Sequence, residues 1–254
     1  MTDQVARAAL VTGSARRIGR AIALAAHNAG YAVAVQANRS VAEAEALRDE
    51  IARAGGRAAV VRADLSDHAA VAALIAAAAA AVGPLTLLVN NAAMFEPDAI
   101  GALEVKRFDR QFAVNLRAPL FLSEAFAGQA PQNANAAIVN ILDQRVFKLT
   151  PHFVSYTLAK SALHAATQML AQALAPNVRV NAVAPGPTMA SARQQAEDFA
   201  RQAAAVPLGH GPSADEIAAA VIYLAGAQSV TGVTLAVDGG QRLAWQTPDT
   251  GVAE

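Results

Sequence analysis

The chain contains no cysteine, one tryptophan, three tyrosines and, among its 20 basic residues, only three lysines. Without cysteine there are no disulfides and no thiolate metal sites, and the redox compartment stays undetermined. The five histidines (His27, His68, His152, His164 and His210) show no ligand spacing, so no metal is expected. Formal net charge is zero and no block of basic residues occurs, which argues against nucleic acid or an anionic membrane as partner. The alanine-rich run at 69–82 is too short to cross a bilayer and is bounded by Asp67-His68 and Gly83-Pro84. The first residues carry an acid and lead straight into an apolar strand, without the pattern of a secretory signal. A cytoplasmic protein is expected.

What is abundant is alternation. Short apolar runs at 8–11, 31–35, 58–62, 85–89, 137–142, 178–183 and 234–237 read as strands. Helical patterns separate them, as at 41–54, 104–126 and 215–225. In the alanine-rich run, Val71, Leu74, Ile75, Ala78 and Val82 recur at helical spacing. Apolar strands alternating with helices imply an α/β fold: a parallel sheet of about seven strands, covered on both faces and doubly wound. A hydrophobic fraction of 54% over 254 residues supplies the core. No linker-like stretch interrupts it, so residues 1–246 read as one Rossmann-type domain and 247–254 as a mobile tail. Ligands of such sheets bind beyond the carboxyl ends of the strands.

One stretch carries chemistry. Asp143 follows the fifth apolar run, and thirteen residues later Tyr156 begins Tyr-Thr-Leu-Ala-Lys160. The four-residue spacing puts Tyr156 and Lys160 on one helical face. A nearby ammonium favours the phenolate, whereas Asp143, within reach across the loop, opposes it. An ordinary surface helix would show the same spacing, so the assignment depends on a nucleotide site upstream.

That site is readable. The first strand ends in Thr12-Gly13-Ser14-Ala15-Arg16-Arg17-Ile18-Gly19, whose two glycines permit a tight turn into a helix N-terminus that suits a pyrophosphate. After the second strand, where an acid would favour the 2′-hydroxyl of NAD, stand Asn38, Arg39 and Ser40. An arginine and a hydroxyl suit a 2′-phosphate, so NADP(H) is the expected cofactor.

Taken together the motifs resemble the short-chain dehydrogenase/reductase family over nearly the whole chain. The resemblance rests on the glycine turn, Asp64, Asn90-Asn91-Ala92-Ala93, Asn115, Tyr156 with Lys160, Pro185-Gly186 and Val237-Asp-Gly-Gly240. It implies catalytic roles for Tyr156, Lys160 and Asn115. It also implies cofactor contacts from Gly13, Ser14, Arg16, Arg17, Ile18, Gly19, Asn38, Arg39, Ser40, Asp64, Leu65, Asn91, Ala92, Ala93, Lys160, Pro185, Gly186 and Thr188. Two departures narrow the branch. Arg17 replaces the middle glycine of the usual turn, and Asp143 replaces the usual active-site serine. Both resemble the pteridine reductases and dihydromonapterin reductases. That branch implies a catalytic Asp143 and a pterin held by Arg17, Phe95, Asp143 and Tyr156, with Phe95 stacking on the ring.

The expected reaction is NADPH-dependent reduction of a dihydropterin (dihydrobiopterin, dihydromonapterin or dihydrofolate), with Tyr156 kept protonated as an acid and Asp143 relaying protons. Lys160 would hold the nicotinamide ribose, and Asn115 would help to hold a water leading from Lys160 to solvent. Rival readings are a carbonyl reductase for a ketone or acyl thioester, a reductase of another small-ring imine, and an NADPH-binding sensor without turnover. Residues 187–211, with Met189, Phe199, Val206 and Leu208, read equally as a lid or as core. Trp245 reads as a cap on a neighbour's pocket or, in preference, as an anchor for the C-terminus. The resemblance also implies a homotetramer assembled through helices.

Overall fold

A computed structural model describes residues 7–132, 134–191 and 193–244. Trp245 and the 247–254 tail lie outside the described residues. Seven strands, β1 (Ala8–Val11), β2 (Ala32–Ala37), β3 (Ala58–Arg62), β4 (Leu87–Asn90), β5 (Ala136–Ile141), β6 (Val178–Pro185) and β7 (Thr234–Val237), form one parallel sheet in the order β3-β2-β1-β4-β5-β6-β7. The eight α-helices among the described residues are α1 (Arg17–Asn28), α2 (Val41–Arg53), α3 (His68–Val82), α4 (Val105–Phe112), α5 (Ala118–Gln129), α6 (Val154–Leu174), α7 (Ala196–Ala204) and α8 (Ala214–Gly226).

Alternation along each strand divides the core. Ala9 and Val11 of β1, with Val33, Val35, Leu87, Val89 and Val139, face α1, α2 and α8. Ala8 and Leu10, with Ala34, Leu88, Ile138 and Val180, face α3 and α5. The five residues picked out in the alanine-rich helix are the ones α3 buries. Its start is capped by Asp67, whose carboxylate accepts from the Ala69 N–H. β1, β2, β4, β5 and β6 are buried along their whole length, while the edge strands β3 and β7 are only half-buried.

β1 pairs with β2 on one side and β4 on the other, so the chain reverses direction across the sheet beside β1. The crevice that opens there is where ligands of such sheets bind. Thr12 braces it: its hydroxyl accepts from the N–H groups of Asn91 and Ala92, both at 3.0 Å.

Two elements differ from the sequence expectation. The helical region at 104–126 is interrupted by a π-helical turn at Ala113–Arg117, which carries Asn115. Such turns widen the helix locally and recur at functional sites. The fifth strand, expected to run to residue 142, stops at Ile141, so Asp143 lies two residues beyond its end. Asp143 caps a short 3₁₀ turn, Gln144–Val146, accepting from the Arg145 N–H at 2.9 Å.

Candidate active site

The site has two adjoining cavities of about 520 Å³ each, sharing Arg17, Ile18, Asn91 and Ala93 as a common wall. The first lies beyond the ends of β1, β2, β3 and β4. Of the residues expected to hold a cofactor, Gly13, Arg16, Arg17, Ile18, Gly19, Asn38, Arg39, Ser40, Asp64, Leu65, Asn91, Ala92 and Ala93 line it. Ser14 does not. Its hydroxyl turns inward to the Val11 carbonyl and its N–H to the Gln36 carbonyl, so it shapes the turn from behind.

The glycines are required for space. Gly13 has φ +62, and a Cβ there would meet the Ala92 backbone at 2.9 Å. A Cβ at Gly19 would run into the Gly13 carbonyl and the Asn91 amide, the group that donates to the Thr12 and Gly13 carbonyls. Arg17 also has a left-handed backbone, φ 56, which explains why glycine is usual there. Its guanidinium reaches out of the turn to the carbonyls of Ala190 (2.8 Å) and Met189 (3.0 Å), tying the turn to the 187–211 segment.

Gln36 was not singled out by sequence. Its side chain accepts from Gly13 N–H (2.7 Å) and donates to Ala63 O (2.8 Å), mooring the turn to β2 and β3. On the opposite wall Asp64 accepts from the Ser66 hydroxyl and N–H. These bonds, aided by the Asn38 side chain and by Arg110, hold its carboxyl below the ordinary carboxylate value despite partial burial. Several arginines and a serine hydroxyl around a glycine turn, with a charged carboxylate at the far end, form a donor set that fits a phosphorylated dinucleotide.

The second cavity gathers Phe95, Asp143, Tyr156, Lys160, Pro185, Gly186 and Thr188. Tyr156 and Lys160 share the inner face of α6, and the Tyr156 hydroxyl donates to Asp143 Oδ2 at 3.2 Å. Lys160, 1% exposed, donates to the Ile141 carbonyl at 2.6 Å. Asn115 lines neither cavity. Both ends of its amide bind Met94, Oδ1 accepting from the N–H (3.0 Å) and Nδ2 donating to the carbonyl (2.8 Å). Its side chain thus fixes the strand exit beyond β4.

Burial dominates the electrostatics. It raises the Asp143 carboxyl above its ordinary value against the pull of Arg145, Tyr156 and Lys160. Burial, then Asp143, raise the Tyr156 phenol well above 10. Lys160 Nζ lies 5.9 Å from the ring centre and donates to the Ile141 carbonyl rather than to the phenol. Lys160 itself falls to about 8, again through burial, partly offset by Asp143.

Phe95 stacks on Phe153 (4.2 Å, 7° between planes) and meets Tyr156 edge to face at 4.7 Å. The sequence pointed to Phe95 alone, yet one of its faces is occupied by Phe153. Phe153 precedes α6 with φ 57, held there because its N–H donates to the Asp98 carbonyl. The buried Asp98 carboxylate accepts from the Ser155 N–H (3.2 Å) and hydroxyl, capping the helix that carries Tyr156. Asp98 is 57 residues from Ser155, so no local pattern could have marked it. In the 187–211 segment Val206 is core, Leu208 is exposed, and Met189 and Phe199 line the second cavity. Arg193 from that segment also donates to the Phe95 carbonyl.

This geometry agrees with what the chain is similar to. Residues 13–242 match the family described as enoyl-(acyl carrier protein) reductase. The chain belongs to the short-chain dehydrogenase/reductase family. It superposes with a TM-score of 0.92 on the FolM alternative dihydrofolate reductase 1 of Brucella suis, solved in complex with NADP. The two are 49% identical, over 96% of this chain and 98% of that one. The corresponding Brucella canis protein, also complexed with NADP, is 48% identical with a TM-score of 0.94, over 98% and 99% of the two chains. Pteridine reductase 1 of Leishmania tarentolae is 33% identical over 95% of this chain and 98% of its own length. Within this family the chain is an oxidoreductase, and its two departures, Arg17 and Asp143, both face the second cavity.

Proposed function

We propose that this protein reduces a dihydropterin to its tetrahydro form with NADPH. The observation that carries the reading is the Tyr156 hydroxyl donating to the Asp143 carboxylate inside a cavity walled by Phe95 and floored by Lys160. A ketone reductase needs a neutral hydroxyl to steady the carbonyl oxygen. A carboxylate at that place instead suits a substrate with basic ring nitrogens that must be protonated. The relatives named for dihydrofolate and pteridine reduction, and the cofactor found with two of them, support the same reading.

Bound NADPH supplies the hydride. Gly13 and Gly19 let the pyrophosphate approach the α1 N-terminus, and Arg39 with Ser40 takes the 2′-phosphate. Asp64 holds the adenine end. Lys160 positions the nicotinamide ribose from inside the fold, and Asn115 keeps Met94, and so the cavity wall, in register. Tyr156, protonated because burial and Asp143 both oppose its ionisation, donates its proton to the substrate. Asp143 orients the phenol and passes protons onward. Phe95 forms the flat apolar wall for the pterin, a contact type contributing about 0.5–1.5 kcal/mol beyond area burial. Arg17 lies between the two cavities, placed to touch both a cofactor phosphate and the polar edge of the ring.

The test follows NADPH oxidation with dihydrobiopterin, dihydromonapterin and dihydrofolate beside a panel of ketones, using Tyr156→Phe protein purified identically. Turnover of a pterin that drops at least about a hundredfold in the variant, with NADPH affinity kept, is the expected result. Ketone turnover without pterin turnover would overturn the substrate, and NADPH binding with no turnover would make the protein a sensor.

A further inference from the structure

One charged side chain inside the second cavity has no part in the scheme above. Arg145 sits two residues after Asp143 on the 3₁₀ turn, and its side chain is only 19% exposed. It approaches Asp143 twice. Its backbone N–H donates to Oδ1 at 2.9 Å, and its guanidinium lies 3.7 Å from Oδ2, the oxygen that accepts from Tyr156. Its guanidinium carbon is 5.1 Å from the Phe153 ring centre and 5.5 Å from that of Phe95, so the stacked rings hold the cation in place. Its Nε is buried without a hydrogen-bond partner. A guanidinium so poorly solvated and so sparsely bonded is costly unless a nearby charge compensates, and Asp143 is that charge.

We propose that Arg145 is a positioning residue of the proton-handling group, holding Asp143 ionised and aimed at the Tyr156 hydroxyl. Burial alone would drive a proton onto Asp143, and then neither oxygen would orient the phenol as a full carboxylate does. The charged and titratable groups around Asp143 are Tyr156 and Lys160 from α6, Arg145 from the 3₁₀ turn and Arg17 from the cofactor turn. From the 187–211 segment come Arg193 and Asp198. Of these, Arg145 is the cation nearest the shared oxygen, because Lys160 is turned to Ile141 and Arg17 to residues 189 and 190. The ring of contacts closes on itself. Arg145 packs on Phe153 and Phe95, Phe95 meets Tyr156, and Tyr156 returns to Asp143.

This inference rests on the reading of Asp143 and Tyr156 as the proton-handling pair, and its test has one arm that needs no turnover. Protein labelled with carboxyl-¹³C aspartate is titrated by NMR, the Asp143 resonance being the one missing from Asp143→Asn. In Arg145→Met, and in the better-shaped Arg145→Gln, Asp143 should ionise about one pH unit higher than in the parent, with Arg145→Lys restoring most of the difference. In the second arm, the limb of the kcat profile that Asp143→Asn abolishes should move to higher pH by the same amount, while NADPH affinity holds. An Asp143 resonance that titrates unchanged in a folded Arg145→Gln protein overturns the proposal. Should the parent turn over no dihydropterin, the pterin reading fails, and the NMR arm still decides the part assigned to Arg145.

Discussion

At the residue scale the site depends on burying groups that would rather be in water. Lys160 is the clearest case. The unfolded chain binds its proton at the ordinary value of 10.5, while the folded chain does so only at about 8. Between those values the unfolded state holds more protons, so this group makes stability rise with pH there. Below about pH 8 its penalty is constant, on the order of 3 kcal/mol. Lys160→Met should therefore raise the Tm of the cofactor-free protein at pH 7 and flatten its stability between about pH 8 and 10.5. The same change should remove turnover. A Tm that falls at pH 7 would mean that the bond to the Ile141 carbonyl outweighs the desolvation of the ammonium. Arg17 shows a milder tension, since its left-handed backbone costs something that a glycine would not incur, and its guanidinium bonds to residues 189 and 190 offset that cost.

Elements matter here because they aim side chains. α6 places Tyr156 and Lys160 on its inner face, but its first turn is set from outside by Asp98, whose carboxylate takes the Ser155 N–H and hydroxyl. Losing a cap costs about 0.5–2 kcal/mol, and leaving buried donors unmatched adds about 1–3. At about 2–4 °C per kcal/mol for a chain of this size, Asp98→Ala should lower Tm by about 3–20 °C and reduce kcat, with Asp98→Asn intermediate because it retains an acceptor oxygen. Differential scanning calorimetry beside steady-state kinetics checks both, and an unchanged kcat in the alanine variant would show that Tyr156 is aimed by other contacts. The π-helical turn at Ala113–Arg117 belongs to the same scale. One extra residue in the turn brings Asn115 inward to the Met94 backbone.

For the whole molecule, exposed large apolar residues are scattered over loops and elements, and three of them lie on the helices α5 and α6. On α6, Leu158 is 50% and Met169 68% exposed, and Phe121 of α5 is also exposed. These are large apolar groups on elements that flank the site, and a homotetramer built through such helices would cover them. Sedimentation should give a single species of about four 26.0 kDa chains, and Met169→Glu should shift it to smaller assemblies. A parent chain that sediments as a monomer would remove the tetramer. On the outer strand β7, Leu235 is 37% exposed.

The sequence by itself determined whatever depends on short-range pattern. Strand and helix periods, the glycine turn, the missing acid after β2 and the four-residue step from Tyr156 to Lys160 are all set by neighbours along the chain. The seven-stranded parallel sheet and most of the lining of the first cavity follow from them. The Asp143–Tyr156 hydrogen bond was also legible, because a strand exit and a helix start thirteen residues apart leave little freedom. Only the tertiary structure decided what depends on distance through space and on burial. It turned Lys160 to Ile141, committed the Asn115 amide to Met94 and placed Phe153 over one face of Phe95. It also put Asp98 beneath α6 and Arg145 beside Asp143. The physical reason is that the charge state of a buried group follows its solvation and its neighbours in space, and chain order specifies neither until the sheet and helices have closed around it.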